Sequence, residues 1–143
     1  MVTNKLKVVL DSSVILAGLF NTEGGSGSLL YAAELGLVKA YTSSDIITEV
    51  SRNILQKGNN QLHEVFQGLI KKNTFELVPS PKPEDLKRAT QFVVKKDIAI
   101  LAICFKLPID CFVTLDQKDF GDLMKDSPFH FQVVTPEMIL KQI

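Results

Sequence analysis

Asp11, Glu49, Asp97, Asp116 and Asp119 fall where the pattern of the chain lets carboxylates do chemistry. Asp11 ends the run Lys7-Val8-Val9-Leu10, which reads as a strand buried on both faces. Asp116 ends a second such run, Cys111-Phe112-Val113-Thr114-Leu115. In open α/β sheets, ligands gather in the crevice outside the carboxyl ends of the strands. Carboxylates brought together there repel one another unless a cation neutralises them. The natural partner is Mg²⁺ or Mn²⁺, a hard ion that takes oxygen ligands and keeps several waters. Such a site activates water and stabilises charge on a phosphoryl group. Ser13 and Thr114 are placed to hydrogen-bond these carboxylates and fix their rotamers.

Each acid also has a plainer reading. Asp11 and Asp97 stand where helices begin and can serve as caps. Glu49 can be an ordinary exposed helix residue, and Asp116 and Asp119 can be turn formers. The conjunction carries more than any one member.

The elements that must position these groups alternate. After the first strand, Ser12–Phe20 reads as a helix and Asn21–Gly27 as a loop, with Ser26 or Ser28 capping the next helix. That loop lacks the Gly-Lys-Ser/Thr ending of a phosphate-binding P-loop and follows no strand. Val38–Thr42 is a second strand, and Ser43-Ser44-Asp45 opens a helix with Ile46, Ile47, Val50, Ile54 and Leu55 facing the core. Glu49 lies within it. A further helix carries Leu62, Val65, Phe66, Leu69 and Ile70. Thr74–Val78 is a third strand, and Pro83 suits the first turn of a helix over Glu84–Val94. Asp97 leads into Ile98–Phe105, apolar on nearly all sides and so buried. Asp119 and Phe120 form a short turn or helix, Phe131–Val134 a fifth strand, and Thr135 to Gln142 a last helix. This order argues a parallel sheet with helices on both faces.

Composition narrows the class. At 143 residues, 45% hydrophobic and 22% charged, the chain is expected to form one domain spanning 1–143 with a real core. Lysine and arginine number 16 and so do aspartate and glutamate, a balance that argues against a nonspecific nucleic-acid coat protein. It leaves room for a local basic rim at Lys71-Lys72, Lys87-Arg88 or Lys95-Lys96. No apolar run reaches membrane-span length. Met1–Lys5 leads directly into the first strand without a signal-peptide pattern. Cys104 and Cys111 fit no metal spacing and read as buried free thiols in a reducing cytoplasm.

The segments Leu10-Asp11-Ser12-Ser13-Val14, Ile46-Ile47-Thr48-Glu49-Val50, Asp97 with Ile98-Ala99-Ile100-Leu101-Ala102, and Val113-Thr114-Leu115-Asp116 resemble, in order, the motifs of PIN-domain nucleases. The resemblance covers nearly the whole chain. It implies a five-stranded parallel sheet of order 3-2-1-4-5 and a metal-dependent endoribonuclease cutting single-stranded RNA. Many such proteins in bacteria and archaea are toxins paired with an antitoxin, which would be the protein partner, and such domains commonly pair with themselves. Ser13 stands where the family often has Asn. Lys118 stands where many members carry a second acid after the Thr-x-Asp aspartate, and Asp119 comes one later. On this reading Asp11, Glu49, Asp97 and Asp116 are catalytic. Asp11, Asp97 and Asp116 hold Mg²⁺ or Mn²⁺, Ser13, Thr114 and Asp119 support them, and Lys95, Lys96 or Lys118 steers RNA. Two rivals remain: a non-catalytic PIN-like module that binds RNA or protein, and a phosphatase-like enzyme with Asp11 as nucleophile. The second wants another acid two places on, where Ser13 stands.

Overall fold

A computed structural model describes residues 5–143. Met1–Asn4, read above as leading into the first strand, lie outside the described residues. Strand β1 (Leu6–Leu10) is the centre of a five-stranded, all-parallel sheet. The others are β2 (Val38–Thr42), β3 (Phe75–Leu77), β4 (Cys111–Val113) and β5 (Gln132–Val134), in the order β3-β2-β1-β4-β5. This is the expected order. Val8, Val9 and Leu10 are fully buried, as a central strand covered on both faces requires.

Helices surround the sheet. They are α1 (Ser12–Phe20), α2 (Gly25–Glu34), α3 (Ser44–Gln56) and α4 (Asn60–Lys71) in the first half of the chain. The second half adds α5 (Pro83–Ala89), α6 (Ile98–Cys104), α7 (Gln117–Lys125) and α8 (Pro136–Leu140). A 3-10 turn, Lys95–Asp97, precedes α6.

The register sets up the site. Val9 lies between Tyr41 of β2 and Phe112 of β4, and Leu10 lies beside Val113. The Asp11 N–H then donates to the Val113 carbonyl at 2.9 Å, and the Thr114 N–H donates to the Val134 carbonyl at 3.0 Å. The chain leaves β1 toward β2 on one side and enters β4 on the other. Asp11 therefore sits at the point where the strand order reverses.

Several boundaries differ from the sequence reading, each for a physical reason. Gly25–Gly27, expected in a loop, are the first turn of α2, whose cap is Gly24 rather than Ser26 or Ser28. A Cβ at Gly18 would lie 2.9 Å from the Ser26 carbonyl oxygen, and one at Gly27 would collide with that of Thr22. Gly18 serves the close approach of α1 to α2, and Gly27 makes room for the loop that joins them. Helix α5 stops at Ala89, where the Thr90 hydroxyl bonds back to the Lys87 carbonyl at 2.5 Å. Leu55 and Val65, expected in the core, are exposed. Helix α6 buries Leu101, Ala102, Ile103 and Cys104 but leaves Ala99 open, so it is not apolar-covered all round. Both cysteines are buried free thiols, and burial pushes Cys111 up to about 11. Among the described residues, no helix is long and apolar enough to cross a membrane.

Candidate metal centre

Four elements deliver the acidic side chains. The carboxyl end of β1 delivers Asp11. Its side chain makes no cap bond to α1. Instead, Asp11 Oδ2 accepts from Thr114 Oγ1 at 2.8 Å and from Ser13 Oγ at 3.1 Å. Thr114 Oγ1 in turn accepts the Asp116 N–H at 3.1 Å, and Ser13 Oγ accepts the Leu115 N–H at 3.3 Å. Two hydroxyls thus tie the carboxyl ends of β1 and β4 together. Burial pushes the Asp11 carboxyl up. The Thr114 and Ser13 hydrogen bonds oppose this, and the Glu49 charge adds to it.

Asp116 follows β4 and fills both roles read from the sequence. Its Oδ1 caps α7 by accepting the Asp119 N–H at 3.0 Å, while its Oδ2 stays turned toward Lys96, 3.8 Å away. Helix α7 is anchored by Phe120, fully buried and edge-on to Phe112 of β4 with ring centroids 5.1 Å apart. That anchor fixes Asp119, whose Oδ2 lies 3.1 Å from the Lys96 ammonium.

Asp97 enters from the 3-10 turn before α6, held by fully buried Leu101 and Cys104 on that helix. It makes no cap bond. It is 8% exposed, and its Oδ2 has no hydrogen-bond partner among the described residues. Burial and the neighbouring Asp119 carboxylate push it up to about 7. Lys96 holds Asp119 below its usual range. One carboxylate oxygen each from Asp97, Asp116 and Asp119 lies within 4.8 Å of the others.

Asp11, Glu49, Asp97, Asp116 and Lys96 line one cleft of about 530 Å³. Glu49 reaches it from α3, which buries Ile46, Val50 and Ile54 and packs on α1. The closest carboxylates are Asp97, Asp116 and Asp119. Asp119, read from the sequence as a supporting residue, stands among them, and Asp11 flanks them in the cleft. Of the three lysines singled out, Lys96 lines the cleft, whereas Lys95 and Lys118 are exposed residues outside its lining. Arg52 also lines it and was missed. The signal was present: Arg52 is three residues after Glu49, a spacing that shares a helix face.

The donor set fits a hard divalent cation. It is all carboxylate oxygen, and a buried acceptor on Asp97 lacks any donor. Asp97, Asp116 and Asp119 are the residues able to hold such an ion, with Asp11 beside them.

A parallel sheet with acids gathered at its carboxyl edge, where the strand order reverses, defines an α/β fold with an acidic site at its switch point. Residues 7–118 match the family described as PIN domain, and the chain belongs to that family. Asp119 lies one residue beyond the matched stretch. A comparison with curated proteins finds no match.

The raised Asp97 carboxyl has a consequence for stability. Its value is about 7 in the folded protein, against 3.8 for an ordinary aspartate. Between those values the native state binds a proton that the unfolded chain has released. The resulting stabilisation is full below about pH 4 and is lost as pH rises through about 7. The Tm of metal-free protein is expected to fall between about pH 4 and 7 and to level off above, and Asp97→Asn is expected to flatten that slope. Melts in EDTA across this range check it. An equal slope in the variant would show that Asp97 is not the titrating group.

Proposed function

We propose that the protein is a metal-dependent endoribonuclease that cleaves single-stranded RNA in the acidic cleft. The observation that carries this reading is the approach of Asp97, Asp116 and Asp119 within 4.8 Å beside a buried, unpartnered Asp97 oxygen. Membership in the PIN-domain family supports it. Mg²⁺ or Mn²⁺ is the cofactor, held by Asp11, Asp97 and Asp116 with Asp119. When bound, it supplies charge neutralisation at the phosphoryl group and a more acidic water.

The chain's own groups do the rest. Ser13 and Thr114 orient Asp11 through their hydrogen bonds. Glu49, exposed at the cleft, accepts a proton from the attacking water. Arg52 on α3 and Lys96 beside α6 present cations to the RNA backbone. Intracellular toxin activity restrained by an antitoxin, and pairing with a second copy, extend the same proposal.

The test is direct. Metal-free protein is given an end-labelled single-stranded RNA in EDTA, then in Mg²⁺ or Mn²⁺, with a duplex of the same sequence alongside. Internal cleavage of the single strand only when metal is present is expected. No cleavage at any metal concentration overturns the proposal.

A further inference from the structure

We propose that Lys96 is a tethered counter-cation whose ammonium occupies the position of a divalent ion beside Asp116 and Asp119, so that the ion enters only by displacing it. This rests on the metal-site reading given above. Lys96 and Asp97 are consecutive in a 3-10 turn, where successive side chains point about 120° apart. Asp97 is buried, while Lys96 reaches Asp119 Oδ2 at 3.1 Å and Asp116 Oδ2 at 3.8 Å. Divalent ions bind carboxylate oxygens at about 2.0–2.6 Å. An ion bridging Asp116 Oδ2 and Asp119 Oδ2 at that distance would compete for the place the ammonium takes beside the same two oxygens and would be repelled by its charge.

The lysine is built to leave. Its side chain is 70% exposed, so the ammonium moves into water at little desolvation cost. One ammonium also does not satisfy the cluster. Asp97 Oδ2 remains buried and unpartnered, which favours a doubly charged replacement. A displaced Lys96 stays tethered at the mouth of the cleft that it lines with Arg52, where phosphate oxygens of RNA accept hydrogen bonds. The same side chain thus raises the metal concentration the site requires and becomes available to substrate once metal is in place.

The experiment titrates Mn²⁺ into metal-free parent, Lys96→Gln and Lys96→Arg, reading bound ion by electron paramagnetic resonance and heat by calorimetry. Removing the competing charge is expected to tighten Mn²⁺ binding by about tenfold or more in Lys96→Gln. Lys96→Arg keeps the charge and is expected to stay near the parent. The two exposed-site variants are compared by circular dichroism to establish that each is folded. Equal or weaker affinity in folded Lys96→Gln overturns the inference about Lys96 and leaves the metal site standing. Failure of all three proteins to bind Mn²⁺ overturns the metal site, and this inference with it.

Discussion

Asp11→Asn is expected to leave the fold intact and to cut RNA cleavage by more than about 100-fold. That bound comes from metal sites in which loss of a mere hydrogen-bond partner of a ligand costs about 10–100-fold. A residue at the reacting centre should cost more. The structural side of the argument is specific. Both side-chain hydrogen bonds to Asp11 converge on one oxygen, Oδ2, from Thr114 and Ser13. An asparagine carbonyl placed there accepts both, and its amide takes the place of the other oxygen. Burial already disfavours the charged carboxylate, and the Glu49 charge disfavours it further. A neutral side chain is therefore tolerated as well or better without metal. Asp11 makes no side-chain cap bond, so helix α1 loses nothing. The measurements are RNA cleavage rates at saturating Mn²⁺ and thermal melts in EDTA. A variant that cleaves like the parent removes Asp11 from the chemistry. A variant that melts much earlier in EDTA makes it structural.

The same hydroxyl pair shows how much of the site the sequence carried. Ser13 and Thr114 were legible because strand-ending acids need fixed rotamers, and the hydroxyls adjoin them in sequence. The parallel sheet was legible because apolar strand runs alternate with helices, and its order was legible only through the resemblance to the family. Asp119 was legible as an acid but not as a cluster member. Its place depends on the cap that Asp116 makes and on the Phe120–Phe112 contact that seats α7. The direction of Lys96 was likewise hidden. A 3-10 turn, not a helix start capped by Asp97, decides which of Lys95 and Lys96 faces the cleft.

Glycines and surface apolar residues were misread for a different reason. Gly25 and Gly27 look like loop residues locally, yet the turn before α2 folds back so that a side chain at Gly27 would collide with the Thr22 carbonyl, while Gly18 of α1 lies against the Ser26 carbonyl of α2. Only tertiary structure supplies that constraint, and it overrides turn propensity. Leu55 and Val65 fit the apolar period of their helices but fall at the edge of the buried stripe. Periodicity gives the direction of a face and leaves its width open.

Binding of Mn²⁺ is expected to raise the melting temperature strongly, and Asp97→Asn is expected to abolish most of that rise. An ion that binds only the native state at about 100 times its dissociation constant stabilises by about 2.7 kcal/mol. For a chain of this length each kcal/mol moves Tm by roughly 3–4 °C, so a shift of roughly 8–10 °C is expected. Asp97 is the sharpest place to remove it. Its Oδ2 is buried without a donor and has no ion-pair partner within 4 Å among the described residues, whereas Asp116 and Asp119 have the Lys96 ammonium near them. Asparagine there gives up an anionic ligand and relieves the repulsion from Asp119 that helps push the Asp97 carboxyl up to about 7. At about pH 8 in EDTA the variant should therefore melt at or above the parent, and in Mn²⁺ it should melt below it. This crossing of the two melting curves is the signature of a carboxylate kept for an ion. Parallel shifts in parent and variant would mean that Mn²⁺ binds elsewhere, and a variant less stable in both conditions would make Asp97 a structural acid.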